Sequence, residues 1–297
     1  MAMASRPRLL VTGASGTIGR ALCGQLAAEY EIVGWAFSKP SGAMEQVDLR
    51  DLQALAAAFG QASPEFVVHT AAASAPDEAE RNPDNGRQLN VDATEHLARL
   101  CHVHGVRLLH FSTDIVFDGK RDGYRETDPT NPINVYARTK LESERVLLEA
   151  CPTALALRVA LVYGWAHGGR PTFLDFLQER LSQGAAVAAF TDQIRTPTPV
   201  FGIAEAVKRL LQRTDVSGVL HCTGPDRVSR LEFVKAFARA FGYPERLVVA
   251  ATMADVPSIA PRPRDCSLVC ERMASLIDLR LPGIEESMKR LRHEAAR

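Results

Sequence analysis

What most narrows the fold is a series of short apolar runs, each followed by a helix-like stretch. RLLVTG precedes a helix over 17–28, EIVGWAF one near 51–59, FVVHTAA one near 87–104 and RLLHFS one over 131–150, and ALALRVALVYG closes the series. Strands that are apolar nearly throughout need cover on both faces, and an intervening helix returns the chain so that the next strand lies parallel. The expected fold class is α/β, a doubly wound parallel sheet. Beyond Gly164 the pattern loosens into a Gly/His loop (AHGGRP), a helix near 172–183 and a polar segment, TDQIRTPTP. A helix near 202–213 and the strand-like GVLHC return to the main sheet, while helices near 229–241 and 284–293 build a smaller cap. Residues 1–165 are therefore expected to form the larger domain, rejoined at about 199–222. The expected cap takes 166–198 and 223–297, with a cleft between the two.

The stretch NPINVYARTKLESERVLLEA (131–150) reads as a helix, with Asn131 as N-cap and Pro132 at the first helical position, where its missing N–H is harmless. Tyr136 and Lys140 lie four apart and so share one face of it. A neighbouring ammonium favours the phenolate, which predicts a tyrosine pKa pulled down from ~10 towards the range of a general acid or base. Such a pair also occurs on ordinary surface helices, so its meaning depends on context.

That context begins at TGASGTIG, which places Gly13, Gly16 and Gly19, with Ser15, Thr17 and Ile18, between the first strand and the first helix. Glycines there let the backbone approach a pyrophosphate at a helix N-terminus, although the spacing is G-x-x-G-x-x-G rather than G-x-G-x-x-G. The second strand ends in Trp35-Ala36-Phe37-Ser38-Lys39. An acidic residue there would suit the free ribose 2′-hydroxyl of NAD(H). Ser38 and Lys39 offer no carboxylate and one cation, which favours NADP(H); the plainer account is a polar turn over 38–42.

Lys+Arg equals Asp+Glu at 35 each, so charge gives no reason to expect a nucleic-acid or anionic-membrane partner. The opening MAMASRPRLL lacks an apolar signal region and no run reaches the ~18 apolar residues of a membrane span, so a cytosolic location is expected. Cys23, Cys101, Cys151, Cys222, Cys266 and Cys270 are scattered and read as reduced and mostly packed. No His/Cys/Asp/Glu group has metal-ligand spacing, and His69 and His110, inside apolar strands, read as core residues.

With the glycine loop, FSTDIVFDG (111–119) and YARTK in place, the chain resembles an extended short-chain dehydrogenase/reductase with a Rossmann domain and a C-terminal cap. It is most similar to the dTDP-4-dehydrorhamnose reductase group, which has STDYVFDG-like, NVYGKTK-like and DQYGTPT-like segments and a late RP-x-x-S-x-L stretch. Their counterparts are residues 112–119, 134–140, 192–198 and 262–268. The resemblance implies that Thr113 binds the substrate carbonyl, that Tyr136 donates the proton, and that Lys140 holds the nicotinamide ribose and lowers the tyrosine pKa. It implies that Asp48 and Leu49 lie at the adenine, that Ala71 and Ala72 line the cofactor path, and that Asn90 braces the active-site strand beside the cofactor. Asp114 and Phe117 would line the substrate site, and Arg195 and Arg262 would bind a diphosphate. Plainer accounts are a helix cap for Asp48, packing for the alanines, and structural or solvated arginines. Arg138 and Arg195 stand where the group has Gly, and Val269 where Asp is usual.

The implied reaction is reduction of a nucleotide-sugar ketone at C4. An epimerase keeps the same triad. A 4,6-dehydratase is disfavoured, because Asp114 is followed by Ile115 rather than by the Glu those enzymes carry. The regulatory beta subunit of methionine adenosyltransferase is also similar, with PDGYRETD-like and RPRN-like stretches that echo 122–128 and 262–265. That resemblance implies a cofactor-binding partner of another enzyme. A homodimer is compatible with either reading.

Overall fold

The computed structural model describes residues 6–38, 40–166 and 168–295, so Lys39 lies outside the described residues. The first half runs β1 (Arg8–Thr12), α1 (Thr17–Leu26), β2 (Glu31–Ala36), β3 (Glu45–Gln46), α2 (Leu52–Ala62) and β4 (Phe66–His69). It continues through α3 (Pro76–Arg81), α4 (Pro83–Arg87), a π-helical turn (Gln88–Asp92), α5 (Ala93–Val103), β5 (Arg107–Thr113), α6 (Val135–Ala150) and β6 (Leu155–Val159). The second half contains β7 (Val162–Tyr163), α7 (Phe173–Ser182), β8 (Val187–Phe190), β9 (Ile194–Arg195), β10 (Thr198–Pro199), α8 (Val200–Leu211) and β11 (Gly218–His221). It ends with β12 (Val228–Ser229), α9 (Arg230–Phe241), β13 (Val248–Ala251), α10 (Glu271–Ile277) and α11 (Ile284–Ala295).

Seven strands form one sheet in the order β11-β6-β5-β4-β1-β2-β3. Every pairing in it is parallel. Side chains alternate between its faces. Leu9, Val11, Leu109, Leu155 and Leu157 pack with α1 and α8 on one side. Leu10, Val67, Leu108 and Ala156 pack with α2, α5 and α6 on the other. This two-sided burial is why the strands are apolar throughout. The strand order reverses between β1 and β4, and at such a switch point the helices diverge and leave a crevice at the carboxyl ends of the strands.

A separate apolar cluster joins α7, α9, α11, β8 and β13 through Leu174, Leu177, Val187, Phe233, Phe237, Val248 and Met288. A smaller cluster lies under the C-terminal end of β5 and contains Ile115, Val116, Phe117, Tyr124, Ala137, Cys266 and Leu268.

Two local expectations are corrected. The helix bearing Tyr136 begins at Val135, and its cap is Asn134, whose side chain accepts the Ala137 N–H at 2.8 Å. Asn131 is held elsewhere, donating its amide to Asp118 at 3.1 Å, so Pro132 precedes the helix instead of opening it. The helix expected near 87–104 is interrupted by the π turn, which adds a residue to one turn and rotates Asn90 inward to 1% exposure.

At Gly19 an added Cβ would lie 2.3 Å from the Gly13 carbonyl, whereas at Gly24 in the same helix it would meet nothing within 4 Å. We expect Gly24→Ala to raise unfolding free energy by about 0.5–1 kcal/mol. Gly19→Ala should lower it by roughly 1–3 kcal/mol. Urea denaturation of the two variants checks both.

Candidate active site

The crevice is built from strand ends. Gly13 adopts φ +67°, and a Cβ there would lie 2.7 Å from the Ala71 backbone nitrogen, so only glycine lets the loop pass under the end of β4. Gly16 is the N-cap of α1 and supplies no side-chain acceptor. The first N–H groups of α1 are therefore uncapped by any side chain at the mouth of the crevice, as an anion site requires. Ser15, Thr17 and Ile18 are half-buried around that turn, and Ser38 is exposed at the end of β2. These features fit a dinucleotide: a cradle that a Cβ would fill, and an open helix terminus.

Asp48 is held by Arg50, whose Nε and Nη2 lie 2.9 and 2.7 Å from its carboxylate oxygens, and this pairing holds its pKa below the usual range. The helix cap is Asp51 instead, accepting from Gln53 and Ala54. The Leu49 side chain is buried in the sheet–helix core. Ala71 and Ala72 are half-buried just beyond β4. Asn90 braces the loop after β4 and helix α6, not strand β5: its Oδ1 accepts the Ala73 N–H at 2.8 Å and its Nδ2 donates to Thr139 Oγ1 at 2.9 Å.

Thr113 ends β5, and α6 brings Tyr136 and Lys140 to the same region. Lys140 is 1% exposed, and its Nζ lies 2.9 Å from His110 Nε2. Burial pushes its pKa down to about 7, with the Glu144 carboxylate opposing. The Tyr136 phenol moves the other way from expectation. Burial first and the Asp114 carboxylate second push it up to about 12, with the Thr113 hydroxyl opposing. Desolvation penalises the charged form of each group more than the helix pairing favours it.

Asp114 follows Thr113 and is 4% exposed, and burial raises its pKa. Thr113 Oγ1 donates to its Oδ1 at 3.1 Å. Arg195 Nε lies 2.9 Å from Oδ2 as a charge contact, but no hydrogen bond is directed at that oxygen. The remaining guanidinium N–H groups face backbone: Nη1 donates to the Ile194 and Arg264 carbonyls at 2.6 and 3.1 Å, and Nη2 to Pro263 at 3.0 Å. The guanidinium of Arg195, expected to bind a diphosphate, is thus turned towards protein groups, Asp114 and three backbone carbonyls. Arg262 is likewise paired, donating to Asp77 Oδ1 on α3 at 2.9 Å. Phe117, expected at the substrate site, is fully buried and stacked on Tyr124 with centroids 4.2 Å apart.

Arg230 was not anticipated. It opens α9, two residues past Val228, which pairs with Arg195 across the β9–β12 ladder. Its guanidinium lies over the Phe173 ring at 4.3 Å and has no hydrogen-bond or carboxylate partner among the described residues. Burial, then Arg195, pushes its pKa down to about 10. Nothing in the local sequence marks it, since Ser229 and Glu232 beside it read simply as a capping box. His110 had a weak signal: FVVH and RLLH each end in histidine at the same step, and the register sets His69 directly beside His110.

Among the described residues no group of three or more His, Cys, Asp or Glu side chains could hold a metal ion, and no helix is long and apolar enough to cross a membrane. All six cysteines carry free thiols.

A seven-stranded doubly wound sheet, a glycine turn at its switch point and a Tyr-x-x-x-Lys helix beside Thr113 together define the extended short-chain dehydrogenase/reductase fold. Within it, the chain belongs to the RmlD substrate-binding-domain family, whose model matches residues 7–296. The methionine adenosyltransferase 2 subunit beta of Bos taurus is 34% identical over 293 residues, covering 95% of this chain and 87% of that protein. A probable low-salt glycan biosynthesis reductase of Haloferax volcanii is 31% identical, covering 95% and 96%. The crystal structure of dTDP-4-dehydrorhamnose reductase from Bacillus anthracis, in complex with NADP, superposes with a TM-score of 0.89 at 23% identity, covering 97% and 99% of the two chains.

Replacing Arg195 with Met should destabilise the protein by roughly 3–5 kcal/mol, because it leaves the Asp114 charge buried and uncompensated. The folded-state pKa of Asp114, already raised, rises further in that variant. The native state then binds the extra proton at low pH and loses that relief as pH rises through the new value. The loss should accordingly be smaller at pH 5 than at pH 8, and Arg195→Met combined with Asp114→Asn should recover most of it in guanidinium denaturation.

Proposed function

We propose that the protein is an NADP(H)-dependent reductase of a nucleotide-sugar ketone, similar in activity to dTDP-4-dehydrorhamnose reductase. The observation that carries this reading is the placing of Thr113, Tyr136 and Lys140 beside a crevice whose glycine turn leaves a helix N-terminus open to a pyrophosphate. Gly13, Ser15, Gly16, Thr17, Ile18 and Gly19 would hold the diphosphate of the dinucleotide, and Ala71, Ala72 and Asn90 would flank its path. Ser38 and Lys39 would meet the adenosine ribose, with Asp48 and Leu49 near the base. A nicotinamide held there would supply the hydride for the C4 carbonyl carbon.

The protein handles the oxygen and its proton. Thr113 orients the carbonyl, and Tyr136 protonates the developing alkoxide as the C=O double bond becomes a C–O single bond. Its high pKa keeps the phenol protonated until that transfer. Lys140, as an ammonium, offsets the phenolate that remains. The NADP preference rests on the absence of a carboxylate between Trp35 and Lys39. On the cap, we assign the substrate phosphate to Arg230, because Arg195 and Arg262 are already engaged by carboxylates and, among the described residues, Arg230 is not.

A second reading is supported by the 34% identity to a methionine adenosyltransferase beta subunit, in which case the fold would serve as a cofactor-binding regulatory partner. Turnover separates the two. NADPH oxidation with a dTDP-4-keto-6-deoxyhexose should be rapid, should exceed that with NADH, and should fall by about 10²–10⁴-fold in Tyr136→Phe. A deoxysugar product reduced at C4 would set reduction apart from epimerisation. Tight NADPH binding without consumption, together with altered synthetase kinetics on mixing, would instead establish the regulatory role.

Arg230→Gln should raise the KM for the nucleotide sugar by about 10- to 100-fold, equivalent to roughly 1.5–3 kcal/mol of lost charge-assisted bonding. NADPH affinity, measured by fluorescence, should stay the same.

A further inference from the structure

Lys140 is buried among groups that neither its proposed role at the cofactor nor its pairing with Tyr136 accounts for. Its Nζ is 2.9 Å from His110 Nε2. The same ring nitrogen is 3.0 Å from Ser143 Oγ, which donates to the Lys140 carbonyl at 2.7 Å. His110 is fully buried, and its Nδ1 has no hydrogen-bond partner among the described residues. The ring stacks on His69, centroids 5.0 Å apart and planes 29° from parallel. His69 is itself fixed at both nitrogens, Nδ1 2.6 Å from Thr12 Oγ1 and Nε2 3.0 Å from Thr94 Oγ1. The other titratable neighbours of Lys140 are Tyr136 and Glu144, one turn either way on α6. Glu144 is engaged by Arg158 at 2.9 and 2.7 Å and by Ser112. The π turn reaches α6 through the neutral Asn90, whose Nδ2 donates to Thr139 Oγ1.

We propose that His110 is the positioning residue for Lys140, giving Nζ a hydrogen-bond partner in both of its protonation states. An imidazole is the side chain that fits this position. Burial and the Lys140 charge keep His110 neutral, its pKa well below the ordinary value. When Lys140 is an ammonium, Nε2 accepts from Nζ and the single ring proton lies on Nδ1. When the amine is neutral, the pair has released one proton to solvent. The ring proton then lies on Nε2, which donates to Nζ or to Ser143 Oγ. Nδ1 is left with a bare lone pair. A buried amine without such a partner would face the full desolvation penalty on its charged form. His110 therefore holds the ammonium at the place from which it serves Tyr136, and holds Nζ there after the proton has left.

This inference rests on the reading of Lys140 as the cofactor-side lysine, but its test does not require turnover. The full-length, cofactor-free protein is labelled with ¹³Cε-lysine, the Lys140 resonance is identified by its loss in Lys140→Arg, and it is titrated by NMR. The wild type should titrate at about 7. His110→Phe keeps a ring to stack on His69 but removes both nitrogens, and should lower that midpoint by about one unit or more. His110→Gln loses the stack but can accept or donate, and should stay within about half a unit of wild type. An unchanged midpoint in the Phe variant overturns the proposal, and so does a Gln variant that falls as far as Phe. Should His110→Phe fail to fold, the Gln variant decides alone: retention of the wild-type midpoint supports the proposal and a drop of one unit overturns it. If the protein reduces a keto-sugar, loss of activity with rising pH should begin at lower pH in Phe and not in Gln. A wild type without turnover would sink the reductase reading while leaving the NMR result to stand or fall by itself.

Discussion

The arrangement of the site depends on one buried charge contact, between Arg195 of the β9 segment and Asp114 at the end of β5. A buried ion pair is by itself close to energetically neutral, because desolvating two charges costs several kcal/mol and their attraction only offsets it. What makes this one hold is the guanidinium's remaining geometry, with the carbonyls of Ile194, Pro263 and Arg264 accepting its other donors. A planar fork of five donors can join four groups at once, which a lysine could not. Three segments distant in sequence therefore meet next to Thr113. The antiparallel pairing of β9 with β12 then carries that placement on to α9 and Arg230.

A second constraint is the depth at which α6 lies. Its side against the sheet buries Ala137, Lys140, Ser143, Glu144 and Leu147, an unusually polar set for a helix covering a parallel sheet. Each polar member has a partner: Lys140 has His110, Ser143 the Lys140 carbonyl, and Glu144 both Arg158 and Ser112. Satisfied networks of this kind cost little and fix the register of helix on sheet. Lys140 becomes titratable near neutrality while Tyr136 stays firmly protonated. On the proposed reading this division suits a reductase, which needs a phenol to give up its proton only as negative charge develops on the substrate oxygen.

Much of this was legible in the order of residues. Leu9, Leu10 and Val11 face opposite sides of the sheet in turn, and only two-sided cover explains a run in which every one is apolar. Gly13, Gly16 and Gly19 mark the turn because each lies where a Cβ or a side-chain cap would obstruct the backbone. Tyr136 and Lys140 share a face by helical spacing alone. That helix starts three residues later than Asn131 would have it, since Asn131 and Asn134 are equally good caps locally. The choice between them was made by Asp118, which holds the Asn131 amide.

The elements, their alternation and the residue types at the crevice are set by residue order, because they follow from periods of two and 3.6 and from the steric needs of a few glycines. Which charges stand available is settled only when distant segments pack together. Arg195, Arg230 and Arg262 are alike as sequence, yet among the described residues two are paired with carboxylates and one is not, because those carboxylates, Asp114 and Asp77, lie far away in the chain. The same holds for acidity: spacing puts an ammonium near a phenol, but the pKa of each is governed by burial, and burial is a property of the packed whole.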